Sequence, residues 1–268
     1  MMTLAGLVTH SASGNVWSEI EDPTTGASQA IGETSSGCIR GARLLPAEGA
    51  GYIVMHLERN RYWGHPSLIS ALRELGMEIS RKRLGMMHVG DLGMARGGPM
   101  PFGHRSHQSG LDADIWFDLD PNLHRGANSD RSNIKAPSLL DSMGRAVDDA
   151  RWQENHAQML KIAASLPGVD RIFVNARIKD RLCQDHRNEG TWLRKIRPWF
   201  YHEDHFHMRM ACPPDSPGCT PQDSIPPGDG CNELAGWLKK PSEPTPDRKR
   251  PSAPMPKLPR ECTAVLRE

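Results

Sequence analysis

The sequence predicts an α+β fold with short strands and long loops, and three observations carry that reading. Gly 25 and Pro 22 are both high for a helical enzyme. Aromatic residues make up only 6% of the chain, yet 7 of them are Trp. Stretches with helical spacing are interleaved with short apolar or alternating stretches, which argues against a bundle. A length of 268 residues suffices to bury one substantial core, with room for a small appended lobe.

Residues 1–36 are polar and rich in Ser, Thr and Gly, with no sustained period. Within them, MMTLAGLVTHSASG (1–14) has a short apolar piece followed by small residues. That is the rear half of a secretory signal with its cleavage region, lacking a basic front end, so we read a truncated signal remnant. PSLISALRELG (66–76) is expected to be a helix, opened by Pro66, carried by apolar residues at helical spacing and stopped at Gly76. LGMMHVGD (84–91) reads as a buried strand delivering a Gly-rich loop, 93–103. Gly90, Gly93, Gly97 and Gly98 do not fit a dinucleotide or phosphate loop. ADIWF (113–117) is the next strand, and a second helix is expected over 151–165, closed by Pro167-Gly168. RIFVN (171–175) is β-branched and aromatic, hence a strand, and TWLRKIRPWF leads into HEDHFHMRM, another strand.

After Met210 the character changes. Residues 212–231 hold three cysteines among prolines, and 241–260 are rich in Pro, Lys and Arg, the composition of an extended, poorly packed segment. We therefore expect one catalytic domain over 15–211 and a Pro-rich, disulfide-tethered extension over 212–268. The net charge of +1 points to no nucleic-acid partner. No run of about 18 apolar residues occurs, so no spanning helix is expected. Cys38, Cys183, Cys212, Cys219, Cys231 and Cys262 contain no C-x-x-C pair, so a zinc ribbon or thioredoxin-type site is not expected. Disulfides in an oxidising compartment account better for an even set in turn-like sequence. Their spacing alone leaves about 15 connectivities open.

Five of the 12 histidines fall in two windows, GHRSHQSGLDAD (103–114) and HEDHFH (202–207). In a strand, successive side chains point to opposite faces. His205, His207 and Arg209 would therefore share one face, and Phe206, Met208 and Met210 the other. By the same alternation Asp112, Asp114 and Trp116 share a face, with His104 and His107 on the turn just before. Neutral imidazoles and a carboxylate are ligands that zinc accepts, and three of them leave a fourth position for water. Spacing does not rank His205 against His207 as a ligand. Ordinary hydrogen-bonded histidines, or metal-free acid–base chemistry by His and Asp, stay open on these residues alone. There is no H-E-x-x-H and no G-x-S-x-G, and the S-x-x-K at Ser132–Lys135 lacks its S-D-N and K-T-G partners, so it is assigned to chance.

The combination of GHRSHQSGLDAD, RIFVN, WLRKIRPWF and HEDHFHMRM closely resembles the penicillin-insensitive murein endopeptidases, from GCIRGARLLP (37–46) through the last cysteine. These belong to a group with lysostaphin-type peptidases, D-Ala-D-Ala metallopeptidases and hedgehog domains. The resemblance implies a small central antiparallel sheet with flanking helices, one zinc, and a periplasmic enzyme. Its reaction would be hydrolysis of the D-alanyl–meso-diaminopimelyl cross-link of peptidoglycan. It further implies His107, Asp114 and His207 as zinc ligands, with His205 as base or transition-state stabiliser. His202 and His104 would line the site, His104 being a further candidate ligand. The implied pairing of the cysteines is Cys38–Cys262, Cys183–Cys231 and Cys212–Cys219. With no serine acylated, β-lactams would have nothing to trap. Trp116 and Arg209 are candidate substrate contacts, a salt bridge being equally open for Arg209, and Trp199 is assigned to the core. Where some members bind a further metal, this chain has Met143 and Ala146, so no second site is expected. Two other readings remain: a D,D- or L,D-carboxypeptidase on stem peptides, and a non-catalytic, zinc-containing peptidoglycan-binding module.

Overall fold

The computed structural model describes residues 15–123, 130–187, 189, 191–239 and 257–268. The signal remnant expected over 1–14 lies outside them. A hairpin of β1 (Gln29–Glu33) and β2 (Ser36–Arg40) opens the described chain, followed by β3 (Arg43–Leu44), β4 (Glu48–Gly49), β5 (Tyr52–Val54) and β6 (Trp63–Gly64). Then come α1 (Pro66–Arg81), β7 (Met87–Val89), β8 (Asp112–Trp116), α2 (Glu154–Ser165) and β9 (Val169–Asn175). The last elements are α3 (Ala176–His186), α4 (Trp192–Lys195), β10 (Ile196–Trp199), β11 (His205–Met210), α5 (Ala235–Leu238) and α6 (Arg260–Arg267).

Seven strands form the main sheet in the order β10-β9-β11-β8-β7-β5-β4. The α+β class is as expected, and the centre of the sheet, β9-β11-β8-β7, is antiparallel. Toward the two sides it turns mixed, because β10 joins β9 and β5 joins β7 in parallel. A parallel neighbour needs a crossover, and helices supply both: α3 and α4 between β9 and β10, α1 between β5 and β7.

The core lies on one face of this sheet. Ala113, Ile115 and Phe117 after β8, with Phe206 and Met208 of β11, pack with Leu72, Leu75 and Ile79 of α1 and Leu160 and Ala163 of α2. The opposite face of the same two strands carries polar residues, the alternation that the sequence predicts.

Helix α1 runs past Gly76 to Arg81, so Gly76 is not its stop. A Cβ on Gly76 would lie 2.6 Å from Ala50 O and 2.9 Å from a Tyr52 ring carbon. The glycine is there for close approach of the β4–β5 turn, at a helix cost of about 1 kcal/mol. The helix ends where Arg83 turns left-handed, φ 56°. Helix α2 starts at Glu154, where Gln153 and His156 form a reciprocal cap, three residues later than expected. Helix α3 is absent from the sequence reading, although Asn175 caps it and Ile178, Leu182 and His186 form a buried i, i+4 stripe.

Cys38–Cys262, Cys183–Cys231 and Cys212–Cys219 are bonded, the pairing that the resemblance implies. The extended, poorly packed segment expected over 241–260 falls largely outside the described residues; beyond it the chain is helical over Arg260–Arg267. There Cys262 and Val265 are buried against Trp17, Ile31, Met94 and Met100. Residues 240–256 lie outside the description. The Cys38–Cys262 bridge closes a separation of 224 residues, and removing it as a double alanine variant is expected to cost about 2–5 kcal/mol. Urea unfolding checks this, and an unchanged midpoint would mean the bridge adds nothing to the packing of α6.

Candidate metal centre

Strand register assembles the centre. In the β8–β11 pair His207 stands opposite Asp114, Arg209 opposite Asp112, and His205 opposite Trp116. Opposed residues on one face of an antiparallel pair have Cβ atoms about 4.5–5.5 Å apart, so this register brings carboxylate and imidazole together before any loop contributes.

The loop between β7 and β8 adds the rest. Gly90 N–H donates to Asp114 O at 2.8 Å, and Asp114 N–H donates to Asp91 O at 3.0 Å. His107 has φ 70°, unusual for a residue with a Cβ, and its N–H donates to Asp112 Oδ2 at 2.9 Å. The adjacent Gln108 locks this turn to the β1–β2 hairpin. Its N–H donates to Thr34 O at 2.9 Å, its Nε2 to Ser35 O at 2.8 Å, and its Oε1 accepts from Gly37 N–H at 3.3 Å. A Cβ on Gly97 would meet Gln108 O at 1.9 Å, so only glycine permits that crossing.

Asp114 is ringed by imidazoles. Its Oδ1 lies 3.3 Å from His207 Nδ1, 3.4 Å from His107 Nε2 and 3.7 Å from His205 Nε2, and its Oδ2 lies 3.3 Å from His104 Nδ1. The His202 ring is 4.9 Å from that of His205 and 6.0 Å from that of His207, centroid to centroid. All the histidines of the two sequence windows thus meet in one place.

Three of these imidazoles turn their second nitrogen to an outer carboxylate. His104 Nε2 is 3.0 Å from Asp91 Oδ2, His205 Nδ1 is 2.5 Å from Asp204 Oδ1, and His207 Nε2 is 3.2 Å from Asp112 Oδ1. A carboxylate that accepts one ring N–H leaves the other nitrogen with its lone pair facing inward. Charge is correspondingly concentrated. Burial opposes ionisation of Asp114, but His107, His104 and His205 hold its carboxyl well below the usual range. Burial likewise opposes charge on His205, yet Asp114, Asp204 and Glu203 raise it to about 9. His202 goes the other way: burial, with His205 and His207 beside it, lowers it to about 3.

The donor set fits a cation. His107 Nδ1 and Nε2 and Asp114 Oδ1 are buried with no hydrogen-bond partner among the described residues, a costly state unless something else satisfies them. The donor atoms of His104, His107 and Asp114 lie within 4.8 Å of one another, and His207 approaches from the strand side. Imidazole nitrogens with one carboxylate oxygen are a donor set that suits zinc.

Other expected site residues sit differently. Arg209 is 6% exposed; its Nε and Nη2 donate to Asp112 Oδ1 and Oδ2 at 2.6 and 3.1 Å. Of the two roles the sequence left open, it takes the salt bridge. Trp116 is 6% exposed and packs with Ile53, Met55 and Ile134 on the same face as Asp112 and Asp114. Trp199, assigned to the core, is 50% exposed, because β10 is the edge strand of the sheet. Ser132 donates to Asp130 Oδ1 in a local turn.

Asp91 was missed. It is 4% exposed and takes hydrogen bonds from Arg61 at 2.8 Å and Arg59 at 3.3 Å besides its contact with His104. Burial opposes its ionisation, and His104, Arg61 and Arg59 hold it below the usual carboxylate range. Nothing periodic marks it, since its partners come from the segment before β6 and from the loop after it. The supporting role of Asp112 was missed too; its face was legible but its partners were not.

A family model described as penicillin-insensitive murein endopeptidase matches residues 30–267. Curated relatives of that name from Salmonella paratyphi C and Salmonella typhimurium are each 42% identical over 255 residues, spanning 94% of this chain and 91% of those proteins.

Proposed function

Because this chain belongs to the penicillin-insensitive murein endopeptidase family, whose members are metallopeptidases, we propose that it is a zinc enzyme hydrolysing the D-alanyl–meso-diaminopimelyl cross-link of peptidoglycan. The observation that carries the reading is the buried Asp114 carboxylate, encircled by His104, His107, His205 and His207. His107, Asp114 and His207 are the proposed ligands. Both histidines approach the same oxygen, Oδ1 of Asp114, at 3.4 and 3.3 Å, and both are buried. His104 approaches the other oxygen and is partly open to solvent.

Bound zinc would polarise the scissile carbonyl and bring a water's pKa to about 7. The chain's own residues do the rest. Asp204 holds the Nδ1 proton of His205, so Nε2 is the atom that exchanges a proton at the site, and as imidazolium it stabilises a developing oxyanion. His202 Nδ1–H donates to Phe200 O at 2.6 Å, which fixes its ring beside His205. Asp112 and Asp91 orient His207 and His104 from behind. No serine takes an acyl group, which agrees with a family named for penicillin insensitivity.

Digestion of purified cross-linked muropeptide dimers tests the reading. Release of monomers is expected; loss of terminal D-alanine alone would make the protein a carboxypeptidase, and no product at all a binding module. Chelation should abolish monomer release and zinc restore it, while penicillin leaves it unchanged. Activity surviving exhaustive metal removal would overturn the zinc proposal.

Asp91→Asn is expected to slow hydrolysis by about 10–100-fold with zinc content intact, since it acts through His104. Loss of zinc from this variant would instead place His104 among the ligands. Location in the periplasm is likewise proposed. Three disulfides call for an oxidising compartment, and no helix among the described residues is long and apolar enough to cross a membrane.

A further inference from the structure

Beside the histidine cluster lies a surface of exposed rings that the chemistry above does not use. Trp199, Phe200 and Tyr201 follow one another and are 50%, 47% and 62% exposed. Trp237, from the segment tethered by Cys183–Cys231, joins them. Its ring centroid is 5.0 Å from Phe200 and 5.9 Å from Trp199. The surface is continuous with the candidate centre: Trp199 packs on Phe173 at 5.5 Å, and Phe173 packs edge-on against His207 at 5.5 Å.

The turn that presents these rings is held against its own preference. Tyr201 and His202 are both left-handed, φ 60° and 58°, a conformation costing of order 1–3 kcal/mol per residue. Asn175, 6% exposed, fixes both: its Nδ2 donates to Tyr201 O at 2.9 Å and its N–H to His202 O at 2.9 Å. A strained turn pinned from below, with large rings left in solvent, is a feature that core packing does not require.

We propose that Tyr201, Trp199, Phe200 and Trp237 form a platform for the glycan strand to which the cleaved peptides are attached. The proposal rests on the murein-hydrolase reading, because that substrate's stem peptides are linked to sugars, so a sugar unit must lie near any peptide in the centre. Sugar rings present flat C–H faces flanked by hydroxyls, which aromatic rings cover while indole N–H and phenol O–H stay free to hydrogen-bond at the edge. Trp199 and Tyr201 are 50% and 62% exposed, so such edges can reach a ligand from solvent. The platform would orient the polymer and favour cross-links still attached to sugar over free peptide dimers.

Two ligands and two variants of the full chain test this. The ligands are glycan strands freed of peptide and cross-linked peptide dimers freed of sugar. Tyr201→Asn removes the ring but keeps a residue that tolerates the left-handed turn, and Trp237→Ala removes the ring contributed from the other segment. Loss of one stacked ring should weaken glycan-strand binding about tenfold, followed by tryptophan fluorescence, with hydrolysis of sugar-free dimers within about twofold of wild type. Unchanged glycan binding, or equal damage to both substrates, would overturn the platform. So would a wild-type dimer in sedimentation that Tyr201→Asn dissociates without any change in sugar binding, since the rings would then cover a second copy. If the wild type binds glycan strands but cleaves no cross-link, the hydrolase reading falls and the platform stands; cleavage without glycan binding is the converse.

Discussion

Asp114→Asn is expected to strip zinc from the protein and to lower cross-link hydrolysis on the order of a thousandfold or more, with the fold retained. The substitution conserves shape, and its neighbours are side chains on strands and turns held by other bonds. What it removes is the negative charge that four imidazoles approach at 3.3–3.7 Å. The amide offers a weaker donor oxygen and leaves His104, His107, His205 and His207 facing one another with no anion between them. Metal analysis, muropeptide digestion and near-ultraviolet circular dichroism on one preparation separate the possibilities. Retained zinc with full activity would remove Asp114 from the ligand set. His205→Ala provides the contrast, being expected to keep zinc and fold while losing hydrolysis. Unchanged hydrolysis would end the proton-transfer role of His205.

Arg209→Leu should be the most destabilising single change at the site, by about 3–5 kcal/mol, because it leaves a buried carboxylate without its cation. Asp112 is 0% exposed and Arg209 6%. The guanidinium covers both carboxylate oxygens, which also hold His107 N–H and His207 Nε2. Burial works against the charge of Asp112, and Arg209 foremost, then His207, keep it ionised. Adding Asp112→Asn to Arg209→Leu should recover part of the loss, since the uncompensated charge goes with it. Urea midpoints of the two single variants and the double variant read this out. A double variant no better than the sum of the singles would show that the pair is not energetically coupled.

The heart of the site was legible because a strand's period is two and both windows run into strands. His205 and His207 had to share a face, as did Asp112 and Asp114, and a single register joins the two pairs. Family resemblance, not spacing, ranked His207 above His205. The supporting residues were not legible in the same way. Asp91 acts on His104 only because the loop after β7 folds back, and no local pattern encodes a contact between segments that far apart. Gly76 illustrates the opposite trap: glycine as a helix stop is a local rule, and here a packing demand from the β4–β5 turn overrides it. The exposure of Trp199 depended on β10 lying at the sheet edge, a matter of strand order that sequence periodicity does not report.

The staple between residue 38 and residue 262 bears on timing as well as on stability. The turn carrying His107 is clamped through Gln108 to the hairpin that this staple secures. A chain made from its N-terminal side presents Cys262 to its partner 224 residues after Cys38. The clamp on the turn carrying His107, a proposed ligand, is therefore secured only once residue 262 has been made and oxidised onto residue 38. Completion of the proposed centre is in this way tied to an oxidising environment.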